Sequence, residues 1–272
     1  MNQEGQGEAQ RDAMSTRKVI PGPAPHSQAP FPLSPAGAAV VGRLHSSAGA
    51  RTEAERRLMQ RVFMRCDEFI QGACHSSSVP CEFLGALTAN ESGGNNAAVR
   101  FEPSVYRHLK AVAAGERPRY GGIGTEALSK ELAEVLHPKS GEFHAMFLNS
   151  LVESGKASEL FRLADEVLRE LASSWGYAQI MGFHVMGRGG TVRDLVEPRF
   201  HYRFANQLLA EFAETYQLDV RREFEEMFRC WNTGRPDGRT ADPAYVQNGL
   251  RRMEIYGALR KDAAMARLRT SA

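Results

Sequence analysis

A chain of 272 residues with 42% hydrophobic and 24% charged residues is long enough for one substantial domain with appendages, or at most two small domains. Its formal net charge of +2 gives no support to a general nucleic-acid binder, and the C-terminal cations Arg251, Arg252, Arg260, Lys261, Arg267 and Arg269 read as a solvated helix face. No apolar run is long enough to form a transmembrane segment, and residues 1–11 are too polar and acidic for a secretory signal.

Residues 1–50 are rich in Ala, Pro, Gly, Ser and Gln, with Pro21-Gly22-Pro23-Ala24-Pro25 followed by Pro30, Pro32 and Pro35. Such a composition cannot bury enough apolar area to offset the entropy of ordering, so a disordered tail is expected ahead of a domain spanning 51–272. Thr52 is the expected N-cap of a first helix, with Glu53 and Glu55 in its first turn. Leu58, Val62, Phe63 and Ile70 recur at helical spacing and should face the core. Of the four cysteines (Cys66, Cys74, Cys81 and Cys230), three lie near His75, but no C-x-x-C pair is present, which reads against zinc. Cys74 and Cys81 either remain thiols or, in an exported protein, bridge around the loop between them.

A helix-compatible run follows, Phe83, Leu84, Ala86 and Leu87, stopped by Gly93-Gly94. Residues 93–101 read as a turn or small hairpin. Pro103 is well placed to open a helix over 104–115, and Thr125-Glu126 to begin another whose apolar set is Leu128, Leu132, Val135 and Leu136, stopped by Pro138. Helical periodicity continues over 143–152 and 160–171. Two helices bent at Pro198 are expected within 192–216, and Pro243 opens the last helix. With no long β-branched pattern and no internal repeat, the fold class is mainly α with a minor β element.

The chemistry concentrates in Ala89-Asn90-Glu91-Ser92-Gly93-Gly94, where one carboxylate sits at the junction between an apolar helix and the glycines that end it. Hydrophobic surroundings disfavour the charged carboxylate and raise its pKa toward the range of a general acid. Taken alone, Glu-Ser-Gly-Gly is also the sequence of an ordinary solvated helix end. Further on, Ser174-Trp175-Gly176-Tyr177-Ala178-Gln179-Ile180-Met181-Gly182-Phe183 joins a glycine-bounded turn, two aromatics and an amide inside an apolar run. Phe228-Arg229-Cys230-Trp231-Asn232-Thr233-Gly234 and then Tyr245-Val246 complete the set.

In that order the segments resemble the lysozyme superfamily. Glu91-Ser92 looks like the catalytic helix end of soluble lytic transglycosylases and goose-type lysozymes, Gly176 to Met181 like the floor of their glycan groove, and Trp231-Asn232-Thr233-Gly234 like their third signature turn. The likeness is greatest to the N-acetylmuramidase family of bacterial and phage endolysins, whose phenylalanine-glutamate segment is matched by Phe101-Glu102 with Tyr106-Arg107, and whose serine-x-glycine-x-x-glutamine-isoleucine-methionine-glycine pattern is matched from Ser174 onward. It spans roughly residues 81–256.

The resemblance implies a lysozyme-like fold with a small β-hairpin and a glycosidase acting on the glycan strands of peptidoglycan, at the cell wall, with no cofactor and no metal. Glu91 is then the general acid. Ser92, Gln179 and Asn232 are expected to meet polar groups of the substrate, and Tyr177, Met181 and Trp231 to offer apolar surface, with packing in the core the other reading for Met181 and for Trp231. Where a goose-type lysozyme has an aspartate, the stretch Leu171-Ala172-Ser173-Ser174 has none. Glu102 therefore either supplies a second carboxylate, orients a water, or pairs with Arg100 or Arg107. The resemblance implies hydrolysis of the β-1,4 bond from N-acetylmuramic acid to N-acetylglucosamine, with formation of 1,6-anhydro products, as in a lytic transglycosylase, or a non-catalytic glycan-binding module as the alternatives. The turn at Gly234 is followed by a polar insertion over 235–242. His144, His184 and His201 have no partners at metal or triad spacing and are given no catalytic role.

Overall fold

The segment 83–89 is apolar on every side, so a helix made from it must be wrapped by others. In the computed structural model this is what α2 (Cys81–Glu91) becomes: every residue from Phe83 to Ala89 is buried. The structure describes residues 48–136 and 157–270. Most of the expected tail, the Pro138 stop and the 143–152 helix lie outside the described residues.

Helix α1 (Ala48–Cys74) packs along α2, with Met59, Val62, Cys66 and Ile70 buried at helical spacing. Thr52 lies inside this helix, which already includes Ala48 to Arg51, and this corrects the expected N-cap. Strand β1 (Val99–Phe101) and helix α3 (Pro103–Ala113) follow, then a two-stranded ribbon of β2 (Arg119–Tyr120) and β3 (Ile123–Gly124). Helices α4 (Thr125–Leu136) and α5 (Ala157–Leu171) lead to the hairpin of β4 (Ser173–Trp175) and β5 (Ile180–Met181). Two 3₁₀ turns, Gly182–Val185 and Val192–Val196, precede α6 (Pro198–Tyr216); α7 (Phe224–Thr233) and α8 (Tyr245–Thr270) complete the described chain. The fold is mainly helical with a small antiparallel sheet, as expected.

Three local expectations are corrected. Of the turn or small hairpin expected over 93–101 the turn is formed, and the hairpin is what is corrected: β1 pairs antiparallel with β4, Arg100 opposite Ser174, giving the order β1-β4-β5. Pro198 does not bend a helix but opens α6, where its missing N–H costs nothing, after a 3₁₀ turn closed by a capping box between Thr191 and Asp194. Trp231-Asn232-Thr233-Gly234 is not a free turn but the end of α7, with Gly234 as its C-cap. Phe224, Met227, Phe228 and Trp231 carry the helical period there, with Phe228 stacked on Phe83 at 4.4 Å.

The long helix α8 lies across α2, and one residue permits the approach. A Cβ on Gly85 would stand 2.5 Å from the Tyr256 ring, so only glycine lets α8 come this close. Tyr256 is wholly buried and donates its hydroxyl to Asp67 of α1 at 2.9 Å, tying the three helices together. All four cysteines are free, with Cys74 and Cys81 hydrogen-bonded thiol to thiol.

Candidate active site

Glu91 is the last residue of α2. Beyond it the amides of Ser92 and Gly93 both return to the carbonyl of Thr88, at 3.1 and 3.0 Å, and close the helix. Its side chain is half-buried, and burial pushes its pKa up to about 7 against the opposing pull of the Tyr245 hydroxyl and the positive charge of Arg100. Tyr245, buried in the first turn of α8, donates its hydroxyl to Glu91 Oε1. Burial and the neighbouring carboxyl together hold that phenol well above its usual range, so it stays a donor. The role of Tyr245 was not legible in the sequence, because its partner lies 154 positions away.

The hairpin of β4 and β5 stands next to this pair, joined to it through Ser92. The Ser92 hydroxyl donates to the carbonyl of Tyr177 at 2.6 Å and accepts the amides of Gly94 and Asn95, each at 3.2 Å, so it pins the end of α2 to the hairpin. Gln179 adopts a positive φ of 54°. Its amide nitrogen donates to the carbonyls of Ala98 and Gly176 at 3.0 and 2.9 Å, and its oxygen accepts the Ser174 hydroxyl at 2.9 Å. One amide hydrogen thus holds the hairpin to the entry of β1, and the other braces the hairpin's own turn. The Tyr177 ring is buried against Tyr202, stacked at 5.2 Å. Met181 is half-buried on β5 opposite Ser174. Trp231 donates its indole N–H to the Ala178 carbonyl at 3.0 Å, and Asn232 is exposed beside it.

Beneath the hairpin, His201 is fully buried and works as a neutral brace. Its Nε2 accepts the Ala178 amide at 2.8 Å and its Nδ1–H donates to the Leu195 carbonyl at 2.7 Å, while burial drives its pKa down to about 4. Gly176, at φ +70°, is required here: a Cβ would meet the Leu195 oxygen at 2.5 Å and the imidazole at 2.8 Å.

On β1, Arg100 binds Glu102 at 2.6 Å, the arginine side chain 74% exposed and the glutamate 17%. The same guanidinium is the cation whose charge reaches Glu91, so Arg100 links the two carboxyl groups electrostatically. Glu102 occupies the N-cap position of α3 without bonding its amides. Of the three possibilities for Glu102, the ion pair with Arg100 is formed. Val99 and Phe101, on the opposite face of the strand, are exposed.

The arrangement is a half-protonated carboxyl at neutral pH, backed by a buried donor and flanked by an exposed strand. It suits proton transfer to a leaving oxygen. Among the described residues no group of three or more His, Cys, Asp or Glu side chains could hold a metal ion, and no helix is long and apolar enough to cross a membrane. A cavity of about 510 Å³ lies elsewhere, between α7 and α8, lined by Arg222, Glu223, Phe224, Glu225, Glu226 and Leu250 and by none of the site residues.

No protein-family model matches the chain, and no curated protein matches it. Among solved structures the chain is similar to the crystal structure of the Burkholderia AP3 phage endolysin, at 16% sequence identity over 75% of this chain and 71% of that one, with a TM-score of 0.36.

Proposed function

We propose that this chain degrades peptidoglycan as an N-acetylmuramidase, cutting the β-1,4 bond from N-acetylmuramic acid to N-acetylglucosamine with Glu91 as general acid. The observation that carries the reading is the state of Glu91: burial raises its pKa to about 7, and Tyr245 holds it in place. A sugar oxygen leaves poorly as an alkoxide. Its protonation by Glu91 as the glycosidic bond breaks lowers the barrier to an oxocarbenium-like state, after which the ionised Glu91 can recover a proton from the attacking group. Cleavage is assigned to residues 51–272. The residues proposed to touch the glycan are Met181 and Asn232, with Trp231 behind them. Ser92, Tyr177 and Gln179 act by shaping the backbone they hold, a reading supported by their use of side-chain bonds or ring faces within the protein.

The attacking group separates two outcomes. In the muramidase reading Glu102 orients a water on the far face of the sugar, which calls for roughly 6.5–9.5 Å between the two carboxyl groups when substrate is bound. The alternative, a lytic transglycosylase, has the muramoyl 6-hydroxyl attack its own ring and yields a 1,6-anhydro sugar. It is favoured by the engagement of Glu102 with Arg100. Mass spectrometry of the products decides: reducing-end muramic acid, with a strong loss of rate in Glu102→Gln, is expected, and predominantly anhydro products would leave Glu91 alone as acid and base.

The parent reading is tested by turbidity loss of purified cell walls. Glu91→Gln should fold normally and lose ~10²–10⁴-fold in rate, because the amide is nearly isosteric but has no proton to give. A variant retaining more than about a tenth of the rate would remove Glu91 from the role of acid, and a wild type without cleavage would leave a glycan-binding module on the same fold.

A further inference from the structure

Tyr245 reaches Glu91 only if the first turn of α8 is held at a fixed place against the end of α2, and the residue just before Glu91 supplies the link. Asn90 donates its amide nitrogen to the Tyr245 carbonyl at 3.1 Å, and its amide oxygen accepts Nη1 of Arg252 at 2.6 Å. Arg252, on α8 and only 17% exposed at its side chain, directs its Nε to Glu55 of α1 at 3.2 Å. Glu55 is 8% exposed at its side chain and also receives Arg251, at 2.5 Å from Nε and 3.0 Å from Nη2. Burial alone would raise the Glu55 pKa, but the two arginines outweigh it and keep the carboxylate ionised. Three helices therefore meet through one buried relay that ends on the backbone of Tyr245.

We propose that Asn90 and Arg252, anchored by Glu55, are positioning residues that set where the Tyr245 hydroxyl meets the Glu91 carboxyl. The proposal rests on the assignment of Glu91 as the acid. The amide of Asn90 is suited to this place by having both a donor and an acceptor: aspartate could still accept from Arg252 but would leave the Tyr245 carbonyl without its partner. The relay also compensates charge. The groups facing the pair are Arg100 on β1, whose charge reaches Glu91, and Arg252, whose charge reaches Tyr245; Arg252 is answered by Glu55 and by Asp242 at the approach to α8. A buried arginine with no anion beside it would destabilise this corner, so Glu55 is what permits a rigid guanidinium clamp here.

The test reads the titration of Glu91 directly, without substrate. In the full chain labelled with ¹³C at glutamate side chains, the Glu91 signal is identified by its loss in Glu91→Gln and followed against pH. Tyr245→Phe removes a donor to the carboxylate and should raise the midpoint by roughly one pH unit. Asn90→Ala should move it in the same direction by at least half as much, and the double variant should go no further than Tyr245→Phe alone, because both act through one hydroxyl. Arg252→Lys keeps the charge, yet a single ammonium cannot span Glu55 and Asn90, so a smaller rise is expected. A lowered melting temperature with an unmoved midpoint in Asn90→Ala and Arg252→Lys would overturn the proposal, and so would additive shifts in the double variant. The coupling is independent of cell-wall cleavage. Coupled midpoints in a chain that cuts no wall would retain the relay and discard the glycosidase; cleavage with uncoupled midpoints would do the reverse.

Discussion

Holding a carboxyl group protonated near neutrality carries a cost in stability that can be read from one substitution. Glu91 titrates at about 7 in the folded chain against an ordinary value of 4.5, so the native state binds its proton more tightly than the unfolded state does. Its contribution is fully present below about pH 4.5 and is lost as the pH rises through 7, a difference of at most about 3 kcal/mol. Glutamine does not titrate. Glu91→Gln should therefore gain on the wild type by up to about 3 kcal/mol in urea unfolding at pH 8 relative to pH 4.5, and an equal difference at the two pH values would contradict the raised pKa. The raised pKa of Glu91 was legible in the sequence because a carboxyl group at the end of an apolar helical run is a local feature. Its hydroxyl partner was not, nor were the tasks of Ser92 and Gln179. Their polar atoms are satisfied by main-chain groups 81 to 85 positions away, and pattern alone does not locate those.

At the scale of elements, α2 carries Glu91 at its end, and its approach to α8 depends on a glycine. Gly85→Ala would thrust a methyl group to 2.5 Å from the Tyr256 ring, forcing α8 outward. Overpacking of this kind costs about 1–3 kcal/mol, which chemical denaturation at fixed pH should resolve; a neutral result would mean that Tyr256 can swing aside despite its bond to Asp67. Helices α1 to α5 were visible as apolar periodicity and proline starts, apart from small shifts in their ends, whereas α6 was read as part of two helices bent at the proline that in fact opens it. Helix α7 was hidden because its final residues also spell a glycine turn, and the C-cap of a helix and a turn share the same glycine signal. The partner of β1 was hidden for a different reason: three exposed residues carry no alternation, and nothing in Val99-Arg100-Phe101 names Ser173-Ser174-Trp175 as its mate.

Over the whole molecule, fold class follows from the scarcity of strands, while the arrangement of the site depends on contacts between distant segments, from α8 onto α2 and from β4 onto β1. The pairing of β1 with β4 bears on the order in which the molecule is made. Arg100 meets Ser174 across 74 positions, so the sheet beside Glu91 can close only after the chain has surrendered the entropy of a long loop, whereas the helices form from neighbours within a few residues of one another. Chains above about 150 residues commonly refold through populated intermediates. On dilution from denaturant, far-UV ellipticity should recover in an early phase and wall-cleaving activity in a later one; coincident recovery would contradict the sequence of events. On the proposed function, a nascent or newly released chain would hold most of its helix while still unable to cut, its destructive capacity arriving only with the last of its structure.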